Sequence, residues 1–134
     1  MKLLDRIGID ISRRLKLEDA IAWAAQHGLK HIDIQLDTGD NALTKFDAKR
    51  CANVRKLLDK HGLELGLHSS SAVNVAEYSP LVADAVTEYL KRYVDLVVKL
   101  GASWTEMHAG YHFTKDIKLR MEAGKARLAK IVAY

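Results

Sequence analysis

The chain repeats one local pattern four times: a short run in which apolar and polar residues alternate, a loop, an amphipathic run, and a closing stretch that for the first three ends in glycine. The first alternating run is Arg6 to Ser12, followed by a helix over Leu17 to Gln26 that stops at Gly28. The second, His31 to Asp37, is followed after a Gly39, Asp40, Asn41 turn by a helix from Phe46 to Lys60, with Cys51, Val54, Leu57 and Leu58 on one side and Gly62 beyond its end. The third, Leu63 to His68, leads through a long loop to Pro80, which suits a first helical turn because its missing N–H has no intrahelical partner there. That helix extends to Leu100 and stops at Gly101. The fourth run, Ser103 to Ala109, precedes a helix from Asp116 with Ile117, Met121, Leu128, Ile131 and Val132 on one side.

Strands that alternate with helices need crossover connections, so the strands are expected to be parallel with helices covering one face of a curving sheet. A complete parallel (βα)8 TIM barrel takes about 250 residues. The 134 residues here, in units 6–28, 31–62, 63–101 and 103–134, fit an α/β fold that is the (βα)4 half of such a barrel, in one half-barrel domain over 1–134. An open flavodoxin-like sheet is the alternative, but its strands are near-continuous apolar runs, and these alternate.

Side chains alternate faces along a strand. One phase is apolar: Ile7, Ile9 and Ile11; Ile32, Ile34 and Leu36; Leu63, Leu65 and Leu67. It is expected to pack beneath the helices, so Ile7, Ile9, Ile32, Ile34, Leu65, Leu67, Val54, Leu58, Leu90 and Val94 should be mostly buried. The opposite phase carries Gly8 and Asp10; Asp33, Gln35 and Asp37; Glu64, Gly66 and His68; Trp104, Glu106 and His108. A barrel axis with a purely structural role is filled by branched apolar side chains, and barrel substrates bind at the carboxyl ends of the strands. His68 and His108 fall at those ends with Asp10 and Asp37 near the same rim, so the two histidines are expected to share one cavity. Imidazole nitrogen with carboxylate oxygen suits a divalent metal, although two ligands do not complete a site. His112 reads equally as a further ligand or substrate contact and as a loop residue without a role at the site; Tyr111 and Phe113 beside it read as loop anchors. Glu106 reads as a layer residue paired with a base, and His27, His31 and His61 as structural groups at the opposite end.

Composition excludes several other classes. The single cysteine, Cys51, cannot form an internal disulfide, which fits a reducing cytoplasm. Charges at positions 2, 5 and 6 interrupt the start, and no apolar run is long enough to span a bilayer, so no membrane partner is expected. The formal net charge of +4 sits entirely between Lys115 and Tyr134, where Lys115, Lys118, Arg120, Lys125, Arg127 and Lys130 outnumber Asp116 and Glu122. Nucleic acid or phosphate attraction is one reading of that segment, but it reads better as a solvated helix face.

Three segments carry a family resemblance: 28–34, 67–76 and 99–112, with the spacings His68 to Asn74 and His108 to Gly110. They resemble the second, third and fourth units of the xylose-isomerase-like barrel superfamily, which includes sugar and sugar-phosphate isomerases and epimerases and the zinc-dependent apurinic/apyrimidinic endonucleases of family 2. In the endonuclease branch, histidines at the positions of His68 and His108 are metal ligands, while Ala109 stands where that branch usually has proline. In the isomerase branch the metal and a proton-moving glutamate pair come from later strands, positions this chain does not contain. The resemblance therefore implies half of a metal-dependent sugar or sugar-phosphate isomerase or epimerase, with Asp10, Asp37, Asn74 and His112 contacting substrate and His68 and His108 holding zinc, manganese, magnesium or cobalt in a site incomplete within one chain. By itself the chain is expected to lack the acid–base pair. The alternatives are an abasic-site endonuclease-like repair protein, or a catalytically inactive truncated barrel that only associates. Two open edge strands lead to an expectation of a homodimer or other self-association.

Overall fold

A computed structural model of the chain describes residues 3–11, 15–110 and 115–134. The elements are β1 (Gly8–Asp10), α1 (Leu17–Gln26), β2 (His31–Gln35), α2 (Ala48–His61), β3 (Glu64–His68), α3 (Pro80–Leu100), β4 (Trp104–Glu106) and α4 (Ile117–Val132). The strands pair in parallel in the order β1-β2-β3-β4, the (βα)4 half of a TIM barrel. Short 3-10 turns at Leu3–Arg6, Gly39–Asn41 and Leu43–Lys45, which alternation does not signal, shape the loops.

Helix boundaries follow their stop signals. Pro80 opens α3, and Gly62 and Gly101 close α2 and α3 with φ of 59° and 66°, a left-handed cap that glycine adopts without strain. Helix α2 starts at Ala48 rather than Phe46, because the Asp47 carboxylate caps it by accepting the Arg50 N–H at 2.7 Å. The outer strands are shorter than the alternating runs of Arg6 to Ser12 and Ser103 to Ala109: β1 and β4 have three paired residues each, β2 and β3 five.

The apolar phase packs as its alternation requires. Ile32, Ile34, Leu36, Leu65 and Leu67 are fully buried against Leu17, Ile21, Val54, Tyr93 and Leu100. Burying one such aliphatic side chain stabilises the fold by about 1.5–3 kcal/mol. Leu58 and Leu90 are buried, and Ile9 and Val94 are half-buried against the core. Ile7 departs from expectation at 39% exposed: it lies just ahead of β1, which among the described residues pairs with β2 alone, while α1 packs over β2.

Helix α4 presents a different face from the one its apolar residues suggest. Ile117, Met121 and Val132 are exposed, Leu128 is half-buried, and the buried residues are Gly124, Arg127 and Ile131. A Cβ on Gly124 would lie 3.6 Å from Ala76, so the helix approaches this loop closely. Arg127, expected on a solvated face, is 6% exposed: its guanidinium donates to the Val75 carbonyl, to the Glu77 carbonyl at 2.7 Å and to Thr87 Oγ1 at 3.1 Å. The basic segment thus spends one cation on anchoring the loop after β3.

Two polar links set the amino end of α1. Asn41 accepts the Leu17 N–H at 3.0 Å and donates to the Leu15 carbonyl at 2.7 Å. Arg50 grips both Glu18 oxygens at 2.8 and 2.9 Å. Burial pushes the Glu18 carboxyl up, but these bonds outweigh it and leave the group below its ordinary range. Among the described residues no helix is long and apolar enough to cross a membrane.

Candidate functional site

Parallel register stacks the inward residues in rows. Asp10, Asp33, Gly66 and Trp104 form one row, and Gln35, His68 and Glu106 the next toward the carboxyl ends. Gly66 makes the first row possible: a Cβ there would lie 2.1 Å from the Trp104 indole, which covers the glycine. From that position Trp104 Nε1 donates to Asp33 Oδ2 at 3.1 Å.

Asp33 and His68 are then brought together. Asp33 Oδ1 is buried and has no hydrogen-bond partner; it lies 3.5 Å from His68 Nδ1. Burial raises the Asp33 carboxyl above its ordinary range, with the charges of Asp10 and Glu106 adding to the rise and Trp104 and His68 opposing it. Glu106 Oε2 sits 3.8 Å from the same His68 nitrogen, so the layer residue has the base that was expected of it. On its other side, His68 Nε2 lies 3.1 Å from His108 Nε2. Two imidazole nitrogens at that distance share one proton, or both turn lone pairs to a common partner. The β3 end is held by Tyr93, whose hydroxyl donates to the His68 carbonyl at 2.7 Å and accepts the Leu36 N–H at 3.2 Å.

Asp10, Gln35, His68, Ser71 and His108 line a cavity of about 250 Å³ at the carboxyl ends of the strands. The remaining sequence candidates fall elsewhere. Asp37 lines a neighbouring cavity of about 350 Å³ with Ser70 and Tyr89, and the Tyr89 hydroxyl donates to its carboxylate at 2.9 Å. Asn74 braces the segment after His108: its Oδ1 accepts the Ala76 N–H at 3.1 Å, and a Cβ on Gly110 (φ 98°) would come within 2.6 Å of that oxygen. His112, with Tyr111 and Phe113, lies outside the described residues. At the opposite end, His31 contacts Glu64 at 3.3 Å and the Asp5 carbonyl at 3.0 Å, while the His27 ring stacks on Trp23. Ser71 was not foreseen, since it follows the strand and carries no alternation signal. Asp33 was placed on the inward phase, but only register shows that it adjoins His68.

Asp33, His68 and Glu106 together offer three ligand atoms within 4.8 Å of one another. Carboxylate oxygen and imidazole nitrogen are the donors a divalent cation takes, and the orphaned Asp33 oxygen is one of them.

The sequence profile of the xylose isomerase-like TIM barrel family matches residues 21–134. The chain belongs to that family. Among solved structures, this xylose isomerase-like chain is similar to a D-psicose 3-epimerase determined in the presence of D-fructose, with 17% identity, a TM-score of 0.78 and coverage of 94% of this chain and 47% of that one. A D-tagatose 3-epimerase-like protein matches at 18% identity with a TM-score of 0.73 and the same coverage, and a D-allulose 3-epimerase from Methylomonas sp. at 24% identity with a TM-score of 0.60, over 87% of this chain and 42% of that one. The chain thus spans less than half the length of these structures. No curated protein matches it.

Proposed function

We propose that the chain serves sugar isomerisation or epimerisation, supplying groups that hold a sugar or sugar phosphate at the carboxyl ends of the strands. The observation that carries this function is the shared cavity in which the His68 and His108 Nε2 atoms lie 3.1 Å apart beside Asp10, Gln35 and Ser71. Donors and acceptors at that spacing suit the neighbouring oxygens of a polyol, and sugar 3-epimerases share the fold. The paired nitrogens meet two substrate oxygens or hold a divalent cation, and Asp10, Gln35 and Ser71 take hydroxyls. Asp37 and Asn74 support the rim from the adjoining cavity and the loop. A bound divalent cation supplies polarisation of the substrate oxygens.

The test is a titration of D-fructose or D-psicose into chain labelled in its histidine rings. The His68 and His108 resonances are expected to shift together while His27 and His61 stay in place. Unmoved rim histidines would sink the sugar function, and rim shifts produced instead by an abasic DNA duplex would favour the endonuclease alternative.

Two copies of the chain associate in this proposal, because β1 and β4 each pair on one side only among the described residues and leave parallel edges open. Sedimentation velocity at micromolar concentration is expected to show a dimer, and a monomer at that concentration would exclude it.

A further inference from the structure

We infer that the inward face carries a divalent-cation site just beneath the rim cavity, formed by Asp33 Oδ1, His68 Nδ1 and Glu106 Oε2. This deepens the sugar function proposed above and rests on it for the cation's purpose, though not for its position. Three neighbouring strands, β2, β3 and β4, each contribute one donor. The separations of 3.5 and 3.8 Å from His68 Nδ1 exceed good hydrogen-bond lengths. They are close to the edge of a coordination tetrahedron, about 3.4 Å for ligands about 2.1 Å from zinc.

The state of Asp33 gives a second, independent reason. Its Oδ2 is tied to Trp104, so the carboxylate cannot swing away without breaking that bond, and its Oδ1 is left buried without a donor. A buried acceptor in that state calls for a partner. The neighbours specify which kind: Asp10 is the register partner of Asp33, and Glu106 approaches the same His68 nitrogen as Asp33 does, so carboxylates outnumber imidazoles there. A divalent cation neutralises this excess, and Glu106, 59% exposed on its side chain, leaves the site open to water and substrate.

The proton on His68 links this site to the rim. A neutral imidazole has one lone pair, so a cation on Nδ1 places the proton on Nε2, which then donates to His108 Nε2 at the 3.1 Å observed. A cation held instead between the two Nε2 atoms removes that lone pair from the interior. The two arrangements exclude each other on one neutral ring, and the interior offers three protein donors where the rim offers two. With the cation inside, His108 becomes a substrate contact rather than a ligand.

The experiment titrates cobalt(II) chloride into the metal-stripped full chain, following visible absorption, with zinc chloride calorimetry on the same samples. One cation per chain is expected. Loss of a group that merely supports a ligand lowers affinity by about ten- to a hundredfold, so Asp33→Asn and Glu106→Gln, which remove ligands, should each weaken binding by at least about tenfold. His108→Asn, which changes only the outer partner of the ligating histidine and keeps a polar group there, should weaken binding less than either ligand variant does. Glu106 is exposed, so its variant is expected to fold even where Asp33→Asn does not, which circular dichroism checks. Absence of cobalt binding overturns the inference, as does a profile in which His108→Asn abolishes binding and Glu106→Gln does not. The sugar titration on metal-free chain is read separately: cobalt binding without histidine shifts keeps the site and loses the sugar function, and the reverse loses only the site.

Discussion

Replacing Gly66 with valine is expected to lower the stability of the chain by about 3 kcal/mol, near the upper end of what overpacking a well-filled interior costs. The first atom added, Cβ, would already lie 2.1 Å from the Trp104 indole, and the obstruction is a ring pinned by its bond to Asp33. Gly66 and Trp104 are also register partners, so the indole cannot move aside without disturbing β3 against β4, which has only three paired residues. Urea unfolding followed by circular dichroism measures the loss. In a Trp23→Phe background, Trp104 emission should shift to the red as the ring leaves the sheet. A change below about 1 kcal/mol with unshifted emission would mean that the indole does not fill the space above Gly66.

The second large effect belongs to Tyr93, fully buried, with a hydroxyl that serves two strands. Tyr93→Ala removes a ring from the main core, for which about 3–5 kcal/mol is the usual loss. Tyr93→Phe keeps the ring and strands the Leu36 N–H and the His68 carbonyl, each orphaned group costing about 1–3 kcal/mol. Burial holds the phenol far above its ordinary titration range, so it stays a neutral donor at any pH where the chain folds. The phenylalanine variant is the more informative, because it should also displace His68, seen as a change in that ring's resonance without sugar or metal. Full stability in Tyr93→Phe would show that water replaces the hydroxyl and that the carboxyl end of β3 is wet.

Much of this architecture is legible in the sequence where a residue has one physical use. Pro80, Gly62 and Gly101 fix helix ends because ring geometry and left-handed backbone leave few alternatives. The alternating phase separates core from axis on β2 and β3, where both flanks are paired. At the outer strands it overstates strand length, since alternation marks extended backbone whether or not a neighbour is present to pair. Ile7 is exposed for that reason, and α4 shows the same effect among helices: among the described residues it packs beside α3, and Gly124 and Arg127 supply its contacts with the loop after β3 while Ile117 and Met121 stay exposed. At the candidate site, phase alone brings Asp10, His68 and His108 to one rim, but it cannot separate Asp37, drawn aside by Tyr89, from Asp10. Nor does it reveal the Trp104–Asp33–His68 chain, which depends on register across four strands and on the one row position without a side chain.

The order of the sheet is also the order of the chain, so each strand meets only its predecessor and successor in sequence. No pairing has to wait for a distant segment, and the loop that must close before any strand docks is one helical unit long. Chains with such sequence-local contacts lose less entropy before their interactions begin to reward them. Assembly can therefore start at the most extensively paired interface, β2 with β3, and spread outward one unit at a time, as in repeat proteins whose stability is a sum over adjacent neighbours. The inward group of Asp33, His68 and Glu106 spans β2, β3 and β4, so in that sequence of events it is completed only after the central pair, when β4 docks.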